Sequence, residues 1–189
     1  MDEIKLLENQ LKRMRSMNRF YHLQFLNDVR YFFVIGLISL IISFNSEKTL
    51  YLLPLIALFG SVILAFHAYY LIFSRNYSEY IEKKINNSLN KEAYITHKLE
   101  NKYFFPIQDK KIVVAKLGKD FSWFSFVTLF ITFYGIFLYV YGMYNIFTTL
   151  NSIYYFVFII LLTLVTFITG YWWFINNEGE SRLRSVYDE

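Results

Sequence analysis

The sequence predicts an all-α transmembrane fold: a four-helix membrane bundle of two hairpins, with cytoplasmic helix extensions and a small cytoplasmic loop subdomain. Two observations predict it. Four stretches, Tyr31–Ser46, Tyr51–Ser74, Phe121–Asn151 and Ser152–Asn177, contain no Asp, Glu, Lys or Arg. A helix needs about 20 mainly apolar residues to cross the hydrocarbon core. The charged residues, for their part, lie between or outside these stretches. At 189 residues, of which 56% are hydrophobic, the chain has room for one membrane domain and no separate globular enzyme domain.

The segment before the first span, residues 1–30, reads as a cytoplasmic amphipathic helix. Ile4, Leu7, Leu11, Met14, Met17 and Tyr21 recur at intervals of three and four, and no Gly or Pro intervenes before Gly36. One helix can therefore run from the aqueous phase into the bilayer. Its stripe suits either an interfacial helix facing lipid phosphates or packing against its copies or a partner; it is too short for a self-standing coiled coil. The segment is too polar for a cleavable signal peptide, so the first span itself serves as the insertion signal. No lipidation motif is expected, since Met1 is followed by Asp2 and the chain ends Tyr187-Asp188-Glu189.

The first hairpin occupies residues 31–74. Counted from Tyr31 the first span is short, which Asp28 and Arg30 accommodate by snorkelling or the bilayer by thinning. Pro54 falls in the first turn of span two, where a missing N–H costs little. Beyond that span Tyr77, Ile81, Ile85 and Leu89 recur every four residues, predicting an amphipathic continuation with Glu79, Glu82, Lys83 and Lys84 on its wet side.

Residues 75–120 form the loop subdomain. Ala93, Ile95, His97 and Leu99 alternate with other residues and predict a short strand, which β-branched Lys111–Lys116 can pair with as a hairpin; Pro106 lies between them. The second hairpin covers residues 121–177 and the tail residues 178–189. Lys and Arg concentrate in the N-terminal segment, the loop and the tail, whereas the other two connections carry only Lys48, balanced by Glu47. The positive-inside rule then puts both termini on the cytoplasmic side of a multi-pass protein of the inner (cytoplasmic) membrane. The Asn-x-Ser sequons at Asn76 and Asn87 become coincidental on that topology.

Small residues dominate the candidate sites. Ala57, Ser61 and Ala65 are spaced by four on span two, Thr128 and Thr132 lie on span three, and Thr166 and Gly170 on span four. Such stripes let helices approach closely within one subunit, at an oligomer interface or along a pore, with hydroxyls bonding across. His67 is a candidate intramembrane switch, or a neutral imidazole bonded to a tyrosine or a backbone carbonyl. Lys83, Lys84, Lys110 and Lys111 form a candidate surface for anionic lipid or an acidic partner. Glu92, His97 and Glu100 read as a solvated loop rather than a metal site.

The absence of cysteine excludes disulfides and thiolate chemistry. With three histidines, no metal-binding triad or HExxH motif can be assembled, and no acid or base lies near a span midpoint to couple transport. No catalytic residue, cofactor or metal is therefore assigned, and direct nucleic-acid binding is not expected.

In size, four spans, cytoplasmic termini and a basic middle loop, the chain resembles the small membrane subunit of the Kiwa anti-phage defence system. The likeness is one of layout over the whole chain and transfers no functional residue. It implies a homo-oligomer, tetrameric, that senses phage-induced membrane disturbance and recruits a soluble effector. The expected function is thus a non-enzymatic membrane scaffold or sensor that oligomerises and engages a soluble cytoplasmic partner. The alternative is an oligomeric pore or channel-forming effector lined by the Ser and Thr stripes.

Overall fold

A computed structural model describes residues 2–103, 107–108, 111–112, 123–150, 152–176, 178, 181 and 185. The elements are α1 (Asp2–Ser43), a 3-10 turn (Glu47–Tyr51), α2 (Leu52–Leu89), α3 (Thr96–Tyr103), a two-residue antiparallel pair β1 (Ile107–Gln108) and β2 (Lys111–Ile112), α4 (Trp123–Asn145) and α5 (Ile153–Gly170). π-helical turns follow α4 (Ile146–Leu150) and α5 (Tyr171–Ile175). The four long helices are each apolar and long enough to cross a membrane. The fold is the all-α, four-helix membrane bundle that the uncharged stretches predict.

Two expectations for the loop change. The alternating segment around His97 is helical, not a strand: α3 begins at Thr96. Lys111–Ile112 does enter a small ladder, but with Ile107–Gln108, in the register Ile107 to Ile112 and Gln108 to Lys111. The remainder of the expected strand, 113–116, lies outside the described residues, as do Lys110 and the tail basics Arg182 and Arg184.

The chain divides into two compact units, one of residues Met1–Arg30 and Leu64–Phe133, the other of Tyr31–Ile63 and Tyr134–Glu189. In the first, the helical stripe of α1 packs against the same chain. Leu7 and Leu11 are buried with Ile81 and Ile85 of α2, and Ile4, Met14, Tyr77 and Tyr94 flank them. At this stripe the N-terminal helix is covered by its own chain. Further along, Tyr21 stacks on Tyr70 with ring centroids 5.0 Å apart, and Phe25 meets Phe124 at 5.4 Å. Helix α2 stops where Asn90 adopts a left-handed φ of 48°. The Lys91 N–H reaches back to the Asn86 carbonyl (3.2 Å) and the Asn90 N–H to that of Asn87 (3.2 Å). This double closure satisfies the last carbonyls of the helix, and Asn tolerates the conformation better than most residues.

In the second unit, close helix approach depends on three glycines, one of them Gly60, which lies against the Phe32 ring. A Cβ on Gly36 would sit 2.6 Å from Leu138 and from the Tyr134 hydroxyl, and one on Gly142 would meet Pro54 at 2.7 Å. Leu53 and Leu138, at these approaches, are fully buried, as are Ile146 and Ile159. Tyrosines supply the bonds between helices here. The Tyr134 hydroxyl donates to the Phe33 carbonyl (3.0 Å), that of Tyr155 to the Tyr51 carbonyl, and Tyr139 pairs with Thr163 (2.7 Å).

Candidate functional site

The most connected polar cluster centres on Glu82, in the first unit. Placed on the wet side of α2 by periodicity, Glu82 is in fact 1% exposed. Arg15 of α1 donates through Nη2 to Glu82 Oε1 and to Thr96 Oγ1 (2.7 Å). The His97 N–H donates to Glu82 Oε2 (3.1 Å), and His97 Nδ1 lies 2.8 Å from the same oxygen. Since the carboxylate only accepts, His97 carries its proton on Nδ1. Burial pushes the Glu82 carboxyl up, but the bonds from Arg15 and His97 outweigh it and hold the group below its ordinary value.

This geometry explains why the strand expectation fails. A helix begins with unbonded N–H groups, and a residue fifteen positions earlier satisfies one of them in α3. Asn86 fixes the approach to it, accepting from the Ala93 N–H (3.0 Å) and the Tyr94 N–H (2.9 Å) and donating to the Tyr94 carbonyl (2.8 Å). The Tyr94 hydroxyl then bonds Glu8 of α1 (2.7 Å). Tertiary bonds of this kind override local alternation.

Arg75, 2% exposed, bonds Glu79 (2.9 Å) and Asn76 (2.7 Å). Lys83 also pairs with Glu79 (2.7 Å), and Lys84 lies 3.9 Å from Glu3. Both lysines are exposed. Of Lys111 only the backbone is described, and Lys110 lies outside the described residues. Glu92 pairs with Lys98 (2.7 Å), His97 with Glu82, while Glu100 is half-buried and burial raises its carboxyl. No group of three or more metal-ligating side chains occurs among the described residues.

His67 bonds neither a tyrosine nor a backbone carbonyl through Nδ1; its partner is Asp28 of α1. Twenty residues counted back from the end of α1 at Ser43 place Asp28 within the roughly 30 Å hydrocarbon layer. A carboxylate there requires a partner, and His67 supplies it. A first span ending at Ser43 must include Asp28 to reach full length, but that count does not name its partner.

The hydroxyls of the small-residue stripes bond locally. Ser61 donates to the Ala57 carbonyl (2.7 Å), Thr128 to Phe124 (2.7 Å), Thr132 to Thr128 (2.7 Å) and Thr166 to Leu162 (2.9 Å). Each hydroxyl bonds its own helix. Ala57 is buried and Ala65 half-buried, whereas a Cβ on Gly170 would meet nothing within 4 Å. Sequence reasoning missed Arg15, Asp28 and Asn86, whose roles depend on partners distant in the chain.

No protein-family model, curated protein or solved structure matches the chain.

Proposed function

We propose that the chain is a non-enzymatic integral membrane scaffold or sensor of the cytoplasmic membrane, with both termini inside, that oligomerises and engages a soluble cytoplasmic partner. One observation carries this reading. The side-chain cross-links that tie α1, α2 and α3 together concentrate around Glu82, beside the exposed cations Lys83 and Lys84. That is an ordered, charged platform attached to apolar spans. By its layout resemblance, the process proposed is anti-phage defence, with the oligomer a tetramer.

The pore alternative gains little from the Ser and Thr stripes, because a hydroxyl already bonded within its own helix has no unmet donor to offer a water column. Two measurements test the proposal. In liposomes, the purified protein should pass no more ion current than empty vesicles; robust conductance by the protein alone would overturn the scaffold reading. A soluble protein co-purifying with the full chain should be lost from the K83E/K84E variant, and its undiminished retention would remove this surface from the proposal.

A further inference from the structure

A cavity of about 320 Å³ opens beside the Glu82 cluster, lined by Arg15, Asn18, Arg19 and His22 of α1, Ser78 of α2 and Glu100 of α3. It has room for about ten water molecules. Its donors are largely unspent. Arg15 uses Nη2 on Glu82 and Thr96, leaving Nη1 and Nε, and no hydrogen bond or ion pair engages Asn18, Arg19 or His22 among the described residues. Ser78 contributes no donor, since its hydroxyl is given to the Ser74 carbonyl (2.8 Å).

We infer that this cavity binds a phosphate-bearing anion. Two guanidinium groups, an imidazole and an amide converge on one concavity, and guanidinium geometry matches phosphate oxygens with charge-assisted bonds. Glu100 is the one acidic wall. Burial raises its carboxyl above the ordinary value, and its charged form opposes an anion in the cavity.

Depth in the bilayer points to a lipid phosphate over a free one. With 20 residues of α1 ending at Ser43 assigned to the hydrocarbon, its edge falls at Gln24. At 1.5 Å per residue, His22 then lies about 3 Å and Arg19 about 8 Å beyond that edge. Counted the same way from Leu52, α2 leaves the hydrocarbon at Leu71 and carries Ser78 about 10 Å beyond. The headgroup layer is about 5–8 Å thick on each side. The His22–Arg19 end of the cavity therefore reaches the headgroup layer, where phosphodiesters are, while Asn18, Ser78 and Arg15 line its aqueous end, through which a soluble phosphate would enter.

The test uses the full chain in neutral detergent, with phosphatidylglycerol, phosphatidylcholine and inorganic phosphate as probes and native mass spectrometry or melting shifts as readout. Arg19 and His22 are exposed, so the R19Q/H22Q double variant should melt like the wild type without ligand. It should lose about tenfold in phosphatidylglycerol affinity, the worth of one charge-assisted bond. K83Q/K84Q should keep wild-type affinity, and E100Q should bind more tightly. If inorganic phosphate shows the R19Q/H22Q loss and phosphatidylglycerol does not, the occupant is a soluble phosphate. Equal affinity of wild type and R19Q/H22Q for all three probes would overturn the site. An equal loss in K83Q/K84Q would overturn it too, by reducing the effect to general basic charge.

Discussion

Around Glu82, polar side chains bond across wide gaps in sequence: Arg15 to Glu82 spans 67 residues and Tyr94 to Glu8 spans 86. On the spans, hydroxyls such as those of Ser43 and Thr132 donate three or four residues back along their own helix, to the carbonyls of Leu40 and Thr128. The difference reflects the solvent around each region. Where water surrounds the chain, polar groups have a competing partner, and a long-range network persists only where burial protects it, as at Glu82. In hydrocarbon no such competitor exists, so the nearest backbone carbonyl satisfies the hydroxyl and cross-helix bonds fall to the longer tyrosines. Cohesion between α1 and the far end of α2 therefore rests on a small buried core and a charged network, whereas within the spans it rests on close packing at glycines.

The contrast can be broken most severely at the apolar core. Ile85→Ala removes a fully buried side chain facing Leu7 and Leu11, and should cost about 3 kcal/mol, read as a lower melting temperature of the detergent-solubilised chain. A lipid-facing change such as Val157→Ala should cost less than about 0.5 kcal/mol by the same measurement; comparable losses would dissolve the distinction.

Glu82→Gln should cost about 2 kcal/mol, less than breaking a wholly buried ion pair because the Arg15 side chain is 42% exposed. Hydrogen exchange should locate the loss at the first amides of α3. The pH dependence follows from direction. The folded Glu82 titrates below its ordinary 4.5, so its contribution is complete above about that value and fades as pH falls through the folded one. Glu100 acts oppositely: burial raises it, so its ionisation opposes folding and stability rises as pH falls through its folded value. An acid titration of E82Q should lose the first component and keep the second, while E100Q should do the reverse.

Smaller effects sharpen the contrast inside the bilayer. Asp28→Ala leaves His67 without its partner and should cost about 1–2 kcal/mol. Thr132→Val removes only a bond to the helix's own backbone and should stay within about 0.5 kcal/mol of wild type. A larger loss at Thr132 than at Asp28, in paired melting curves, would contradict the hydrocarbon rule.

Legibility in the sequence follows the same division. The unbroken α1 was readable because its apolar stripe runs on without Gly or Pro, and the spans because charge is missing from them. Helix α3 was not, because Glu82 and Asn86 hold its start and both belong to another element. Burial of Glu82 was hidden for the same reason: a period of four places it beside Lys83, yet Arg15 and His97 cover it. Asp28 and His67 were both visible, but 39 residues separate them and no local pattern joins them.

The Asp28–His67 bond also bears on how the protein is made. A lone Asp at the centre of an inserting helix costs about 2.5–3.5 kcal/mol, and Asp28 incurs part of this until His67 has been synthesised. The first two helices should therefore leave the insertion machinery as a pair, the first waiting at its lateral exit for the second. In truncations ending before residue 67, the first span should integrate less completely than in the full hairpin, and D28N should remove most of that difference.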